Sequence, residues 1–272
     1  MDKVKLKEVL FDFGRKSFPV RLPDHTDIYP MGKASPLSNS REKICSALDN
    51  PTDCPPLKEL VKQKLLHNPQ AKAVVVISDS TRPVPYTGDS GILVPIIEEM
   101  IRAGIKPSQI RLLIATGTHR PLNSEELREF LDPKIFSWGL RIINHICAKS
   151  KELICVGRTE LGGEILINRY YMESDIKLLT GLVESHFMAG VSGGRKSICP
   201  GLLSEKSTHI LHSGPILSSE KARDLVLQGN PVHEETLRVA KMAGCDMIVN
   251  VTLDSNYRIT GVFAGDMKEA HL

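Results

Sequence analysis

Three histidines of the 272-residue chain stand in loops whose neighbours are also suited to chemistry. His119 lies in Thr116-Gly-Thr-His-Arg-Pro, His186 opens His-Phe-Met-Ala-Gly-Val-Ser-Gly-Gly-Arg-Lys196-Ser-Ile-Cys-Pro-Gly201, and His212 closes Ser-Thr-His209-Ile-Leu-His. Imidazole, with an ordinary pKa of about 6.5, gives and takes a proton near neutral pH without a large shift. Two such rings facing one crevice suit a reaction that needs a proton acceptor on either side of a carbon. The glycines of residues 181–194 admit positive φ and close backbone approach, while Ser192, Gly193, Gly194, Arg195 and Lys196 offer amides, a hydroxyl and two cations to a phosphate. The run is not a P-loop, because it lacks G-x-x-x-x-G-K-S/T. The plainer alternative is a tight strand-to-helix turn, for which His186, Arg195 and Lys196 are costly choices.

A third loop, Ser78-Asp79-Ser-Thr-Arg82-Pro, supplies a carboxylate and a guanidinium. The planar fork of Arg82 suits a carboxylate or phosphate. Asp79 has three open roles: holding a hydroxyl, orienting a histidine, or pairing with Arg82 as a structural cap. Imidazole is a good nickel ligand, and the i, i+3 spacing of His209 and His212 puts both on one helical face. Two nitrogens leave a metal site incomplete, so the other ligands must come from a cofactor or another segment. His25, His67, His145, His233 and His271 have no such context and read as surface or core residues.

These loops need strands to carry them. Short aliphatic runs at residues 73–77, 111–115, 176–180 and 247–251 read as strands buried on both faces. Helical patterns fall at 40–48, opened by Asn39 or Ser40, at 56–67, 95–103 and 233–242, and from Ser124 through Leu131. The alternation predicts an α/β fold: an open, mostly parallel sheet flanked by helices, Rossmann-like, with ligand loops at the carboxyl ends of the strands. Residues 9–13 read as an opening strand and 12–37 as extended chain with turns. The expected organisation is one α/β cofactor-binding domain over 1–260, with 261–272 either a last strand or a crossing into a further domain.

Aromatic residues are only 5% of the chain, which favours an aliphatic parallel sheet over an antiparallel sandwich. The net charge of +3 is spread through mixed sequence, so nucleic acid has no compositional support as a partner. No apolar run reaches the roughly 18 residues of a membrane span, and residues 1–10 alternate charges with hydrophobes; a soluble, cytoplasmic protein is expected. The six cysteines form no C-x-x-C pair, which argues against a thiolate zinc or iron–sulfur site and for reduced, mostly buried thiols.

Taken together, the Asp79-Ser-Thr-Arg82-Pro, Thr116-Gly-Thr-His119-Arg and His186 to Gly201 motifs resemble the nickel-pincer lactate racemase family. The later Gly229-Asn-Pro-Val-His-Glu-Glu and Val262-Phe-Ala-Gly-Asp266 runs extend the resemblance over residues 74–266, as the N-terminal domain of a longer protein. It implies a pyridinium-3,5-bisthiocarboxylic acid mononucleotide tethered to Lys196 by a thioamide and holding nickel by sulfur, carbon and sulfur, with His212 as fourth ligand. It implies His119 and His186 as catalytic acid and base, Arg82 as substrate clamp and Asp79 near both, with Thr118, Ser192, Gly193, Gly194 and Arg195 around the cofactor. The implied reaction inverts C2 of lactate or another 2-hydroxy acid by hydride removal and return. The implied partners are that small acid, the proteins of cofactor synthesis, and a C-terminal domain absent here, without which this piece would be inactive. Two readings compete: a non-catalytic phosphate- or nucleotide-binding module, which has no need of three placed histidines, and a regulatory or interaction protein, for which no recognition helix or basic patch exists.

Overall fold

The computed structural model describes residues 5–14, 16–29, 32 and 34–271. Residues 1–4, part of the opening segment read for a signal peptide, and 15, 30, 31 and 33, within the stretch read as extended chain, lie outside them. The chain divides into two compact units, Met1–Lys33 and Ala34–Leu272. In the first, β1 (Leu6–Phe13) and β2 (Lys16–Pro23) pair as an antiparallel hairpin with Phe11 opposite Phe18. Only its first strand was legible, because the second carries Pro19 and no clean alternation.

The second unit runs α1 (Ser40–Asp49), α2 (Leu57–His67), β3 (Ala73–Ser78), α3 (Leu93–Arg102), β4 (Ile110–Ala115), α4 (Ser124–Phe130), α5 (Pro133–Ser137) and β5 (Arg141–Asn144). It continues through β6 (Leu153–Arg158), β7 (Glu164–Asn168), α6 (Arg169–Met172), β8 (Ile176–Leu182), β9 (Ser185–His186), β10 (Gly190–Val191), α7 (Arg195–Ile198), α8 (Glu205–Leu211) and α9 (Gly214–Leu217). It closes with α10 (Pro231–Ala243), β11 (Met247–Leu253) and β12 (Ile259–Gly265).

Among the described residues the central sheet has six strands in the order β12-β11-β8-β3-β4-β5, parallel except for the antiparallel β11–β12 pair. The predicted α/β architecture is present, and β12 shows that the tail continues the sheet as a strand as far as Gly265. In β3, Ala73, Val75 and Ile77 enter one apolar cluster and Val74 and Val76 the other. The same division repeats in β8 and β11, which is why these strands read as unbroken aliphatic runs. The first cluster is closed by α1, α2 and α3 through Ile44, Leu57, Val61, Ile96 and Ile97, the second by α7, α8 and α10 through Ile198, Leu211 and Val239.

Side-chain caps open α4 and α10 but not α1, where Asn39, expected to open the helix, accepts from no helix amide. Asn123 accepts from the amides of Glu125 and Glu126 while Glu126 reaches back to the Asn123 amide, so the cap expected at Ser124 sits one residue earlier. Asn230 caps α10 with Pro231 in its first turn. No helix among the described residues is long and apolar enough to cross a membrane. All six cysteines are free.

One histidine read as structural ties the layers together. His145 is fully buried, with Nε2 2.8 Å from the Leu203 carbonyl and Nδ1 3.1 Å from the Asn168 amide nitrogen. The carbonyl takes the Nε2 proton and the amide donates to Nδ1, so the ring has no place for a second proton. Burial lowers its pKa from 6.5 to about 4, against the smaller opposing effect of the Leu203 carbonyl. The unfolded chain binds this proton at a higher pH than the folded one, so stability falls as pH drops from 6.5 towards 4, by up to about 1.4 kcal/mol per pH unit for this ring. Urea unfolding at pH 7, 6 and 5 is expected to show His145→Gln with a shallower decline than the parent, the difference growing towards about one proton at pH 5. Equal slopes would contradict the assignment.

Candidate active site

From β3 the chain winds outward to β4 and β5, then returns to place β8 and β11 on the other side of β3. At such a reversal, neighbouring loops leave towards opposite faces and a crevice opens beyond the carboxyl ends of the strands. Here it is a cleft of about 220 Å³ between the ends of β3, β4 and β8. Asp79, Arg82, Thr118, His119, His186, Ser192, Gly193, Lys196 and His212 line it. Residues that the sequence scatters over more than 130 positions thus share one wall; Gly194 and Arg195 are not part of it.

The β3 loop sets one histidine. Asp79 is buried, and its Oδ1 accepts from the Thr81 amide at 3.1 Å and hydroxyl at 2.6 Å. Its Oδ2 lies 2.7 Å from His119 Nδ1. The carboxylate thereby holds the Nδ1 proton and leaves the Nε2 lone pair as the ring's proton acceptor. Of the three roles open for Asp79, its side chain fills two, holding a hydroxyl, that of Thr81, on Oδ1 and orienting a histidine through Oδ2. Arg82 pairs instead with Glu184, Nη1 to Oε1 2.6 Å, both side chains partly exposed. Such a pair adds little stability; its effect is to aim the guanidinium.

His186 sits on β9, opposite Gly190 of β10. Gly190 has φ +76°, and a Cβ there would lie 2.2 Å from the Val226 carbonyl oxygen, so glycine is required. The imidazole stacks on Phe187 at 5.1 Å and comes within 2.9 Å of Lys196 Nζ through Nε2. Burial, then the Lys196 and Arg82 charges, push His186 down to about 4. Burial, then Arg82 and Arg195, push Lys196 from 10.5 to about 7. The hydrogen positions agree with these directions. Backbone amides of Met188 and Ala189 face Nδ1 at 3.4 and 3.3 Å, so Nδ1 is the acceptor and the proton belongs on Nε2. Above about pH 7 the Lys196 amine has a free lone pair to accept it. A neutral lysine amine is a nucleophile; an ammonium is not.

The glycine-rich run departs from the expected phosphate cradle. The amides of Ser192, Gly194 and Lys196 are spent on Glu184 O, Asn250 Oδ1 and Gly193 O, and the Ser192 hydroxyl on Leu182 O. Its glycines serve packing: a Cβ on Gly194 would lie 2.7 Å from Ile248 Cγ2, and one on Gly201 2.4 Å from the Ser197 carbonyl. Arg195 turns its guanidinium into the core, away from the cleft. His212 caps the end of α8 and faces the cleft, its pKa lowered by burial and by Lys196. His209, one turn earlier, is exposed, so the two do not share the site.

The family model described as the lactate racemase N-terminal domain matches residues 13–224. The chain belongs to that family. It is 38% identical over 233 residues to the lactate racemase of Lactiplantibacillus plantarum and 34% over 237 residues to that of Thermoanaerobacterium thermosaccharolyticum, alignments that take in 86% and 87% of this chain. They take in 52% and 53% of those proteins, so the chain spans about half the length of the curated relatives it matches. The solved lactate racemase apoprotein of T. thermosaccharolyticum superposes with a TM-score of 0.81 at 30% identity, covering 97% of this chain and 60% of that one. A Thermotoga maritima protein, at 23% identity and TM-score 0.60, covering 87% and 56%, shares the fold.

Sequence reasoning missed Glu184 and Asn250. Their signals were a carboxylate two residues before His186 and a single polar residue inside the aliphatic run Met-Ile-Val-Asn-Val. The packing role of the glycines is testable. Gly201→Ala is expected to cost about 1–3 kcal/mol in urea unfolding, because a backbone carbonyl must move. Gly214→Ala, in helix and with open space around it, should be neutral or stabilising by about 0.4–1 kcal/mol. Similar losses at both positions would refute it.

Proposed function

We propose that this chain is the cofactor-holding half of a racemase or epimerase acting on lactate or another small 2-hydroxy acid. The observation that carries this is the 2.9 Å contact of Lys196 Nζ with His186 Nε2, in a cleft that also holds His119, Arg82 and His212. Family membership supports the reaction class, and two relatives carry the name lactate racemase.

The residues fit a nickel-pincer nucleotide. Lys196 offers a neutral amine for covalent attachment, and His212 offers one imidazole for nickel. No group of three or more ligating side chains among the described residues could hold a metal, so the remaining ligands would be those of the organic group. At about 220 Å³ the cleft is smaller than the pockets that enclose drug-sized ligands, so these residues would enclose a mononucleotide only in part. When bound, the group supplies a hydride acceptor and donor at the substrate's C2.

The chain's own residues handle the carboxylate and the protons. Arg82, aimed by Glu184, takes the substrate carboxylate through its free edge. His119, with Nδ1 held by Asp79, receives the hydroxyl proton on Nε2, and His186, kept neutral by burial, serves the opposite face of the carbon. Attachment would consume the Lys196 amine as a partner and leave the Nε2 edge of His186 facing the cleft. Loading needs the cofactor-synthesis proteins, in the cytoplasm, and turnover needs the further domain that the longer relatives have room for.

Intact-mass measurement after maturation with those proteins should show an adduct that Lys196→Ala lacks. His212→Ala should keep the adduct but hold nickel more weakly, by more than the roughly 10–100-fold typical of losing an outer-sphere group. In the full-length protein, His119→Ala and His186→Ala should each lower turnover by about 10²–10⁴-fold with the adduct intact. An adduct persisting on Lys196→Ala would remove the basis of the proposal.

A further inference from the structure

Arg195 is 1% exposed, and no carboxylate among the described residues pairs with it. Desolvating a guanidinium without a counter-charge is unfavourable, so its neighbours carry the explanation. It donates to the carbonyl oxygens of Val191 at 2.9 Å and Ala189 at 3.4 Å, and to Nε2 of His271. Its Nε has no partner. One carbonyl belongs to the turn and the other to the return arm of the short hairpin in which Gly190 pairs with His186 and Val191 with Ser185. Arg195 and Lys196 are adjacent in α7. One grips the hairpin's backbone from behind while the other meets its imidazole in front.

His271 fixes the guanidinium in place. Its ring lies against Gly193, where a Cβ would come within 2.5 Å of Cε1, and Asn250 takes the next amide, that of Gly194. Burial and the Arg195 charge keep this ring neutral, with a pKa near 4, as an acceptor for a guanidinium must be.

We propose that Arg195 is a positioning residue for His186, propped by His271, and that it touches neither cofactor nor substrate. The importance of the position rests on reading His186 as a proton-handling group. The test needs neither cofactor nor activity, so failure of the one reading is distinguishable from failure of the other.

The chain would be compared with His271→Ala, Arg195→Gln and Arg195→Lys, and with Leu57→Ala, a core truncation on the opposite side of the sheet. Two readings are taken besides the thermal midpoint: exchange of the Ser192 amide, bonded to Glu184 O at 2.9 Å, and the imidazole ¹⁵N resonances of His186. His271→Ala and Arg195→Gln are expected to speed Ser192 exchange by about tenfold or more, the worth of one charge-assisted hydrogen bond, and to move the His186 resonances. Arg195→Lys should lie nearer the parent than Gln does. Should Arg195→Gln fail to fold, His271→Ala carries the test, since it removes only the prop. A lowered midpoint with Ser192 exchange and His186 resonances shifted no more than in Leu57→Ala would overturn the proposal.

Discussion

The contact between the Lys196 amine and the His186 ring is the constraint around which the rest of the cleft is arranged. Two basic groups 2.9 Å apart, largely shielded from water and with Arg82 nearby, cannot both carry protons. The fold lowers both: His186 stays neutral to well below pH 7, and Lys196, titrating near 7, is the free amine above that pH. Backbone amides occupy one ring nitrogen, and the amine lone pair takes the proton on the other. That arrangement requires the hairpin bearing His186 and the short helix bearing Lys196 to meet at hydrogen-bond distance. The requirement accounts for the tight packing of Gly190, Gly194 and Gly201, where a side chain would strike backbone or core atoms.

Much of this was legible in the sequence because the parallel sheet imposes a simple rule. Strands buried on both faces show as aliphatic runs, and their loops all leave at one edge, so the residues after 77, 115 and 180 had to face a common crevice. Asp79, Arg82, His119, His186, Lys196 and His212 line the same cleft for that reason. The β6–β7 ribbon and β2 were not legible: short antiparallel strands take their register from partners rather than from a local pattern. Arg195 was read with Lys196 as a cation for phosphate, whereas its direction is set by His271, 76 residues away. No local signal carries such a contact.

The site is also defined by what its residues leave open. The amides of Ser192, Gly194 and Lys196 are satisfied internally and Arg195 is turned into the core, so anion attraction falls chiefly to Arg82, and the cleft's three imidazoles, His119, His186 and His212, come with no carboxylate or thiolate cluster that would complete a metal site among the described residues. Both features suit an organic group that brings its own metal ligands better than a free phosphate or a bare ion. The curated relatives have about as much sequence again beyond the length matched here, enough for a further wall.

The tether depends on the protonation state of one amine. Titrating the chain with its lysines ¹³C-labelled at Cε, and identifying the Lys196 resonance by its loss in Lys196→Ala, measures that state directly. A midpoint near 7, with the ring of His186 remaining neutral down to about pH 5, is the predicted result. A Lys196 midpoint near the ordinary 10.5 would mean that an ammonium faces His186 at neutral pH, and the nucleophile on which the tether depends would not be present.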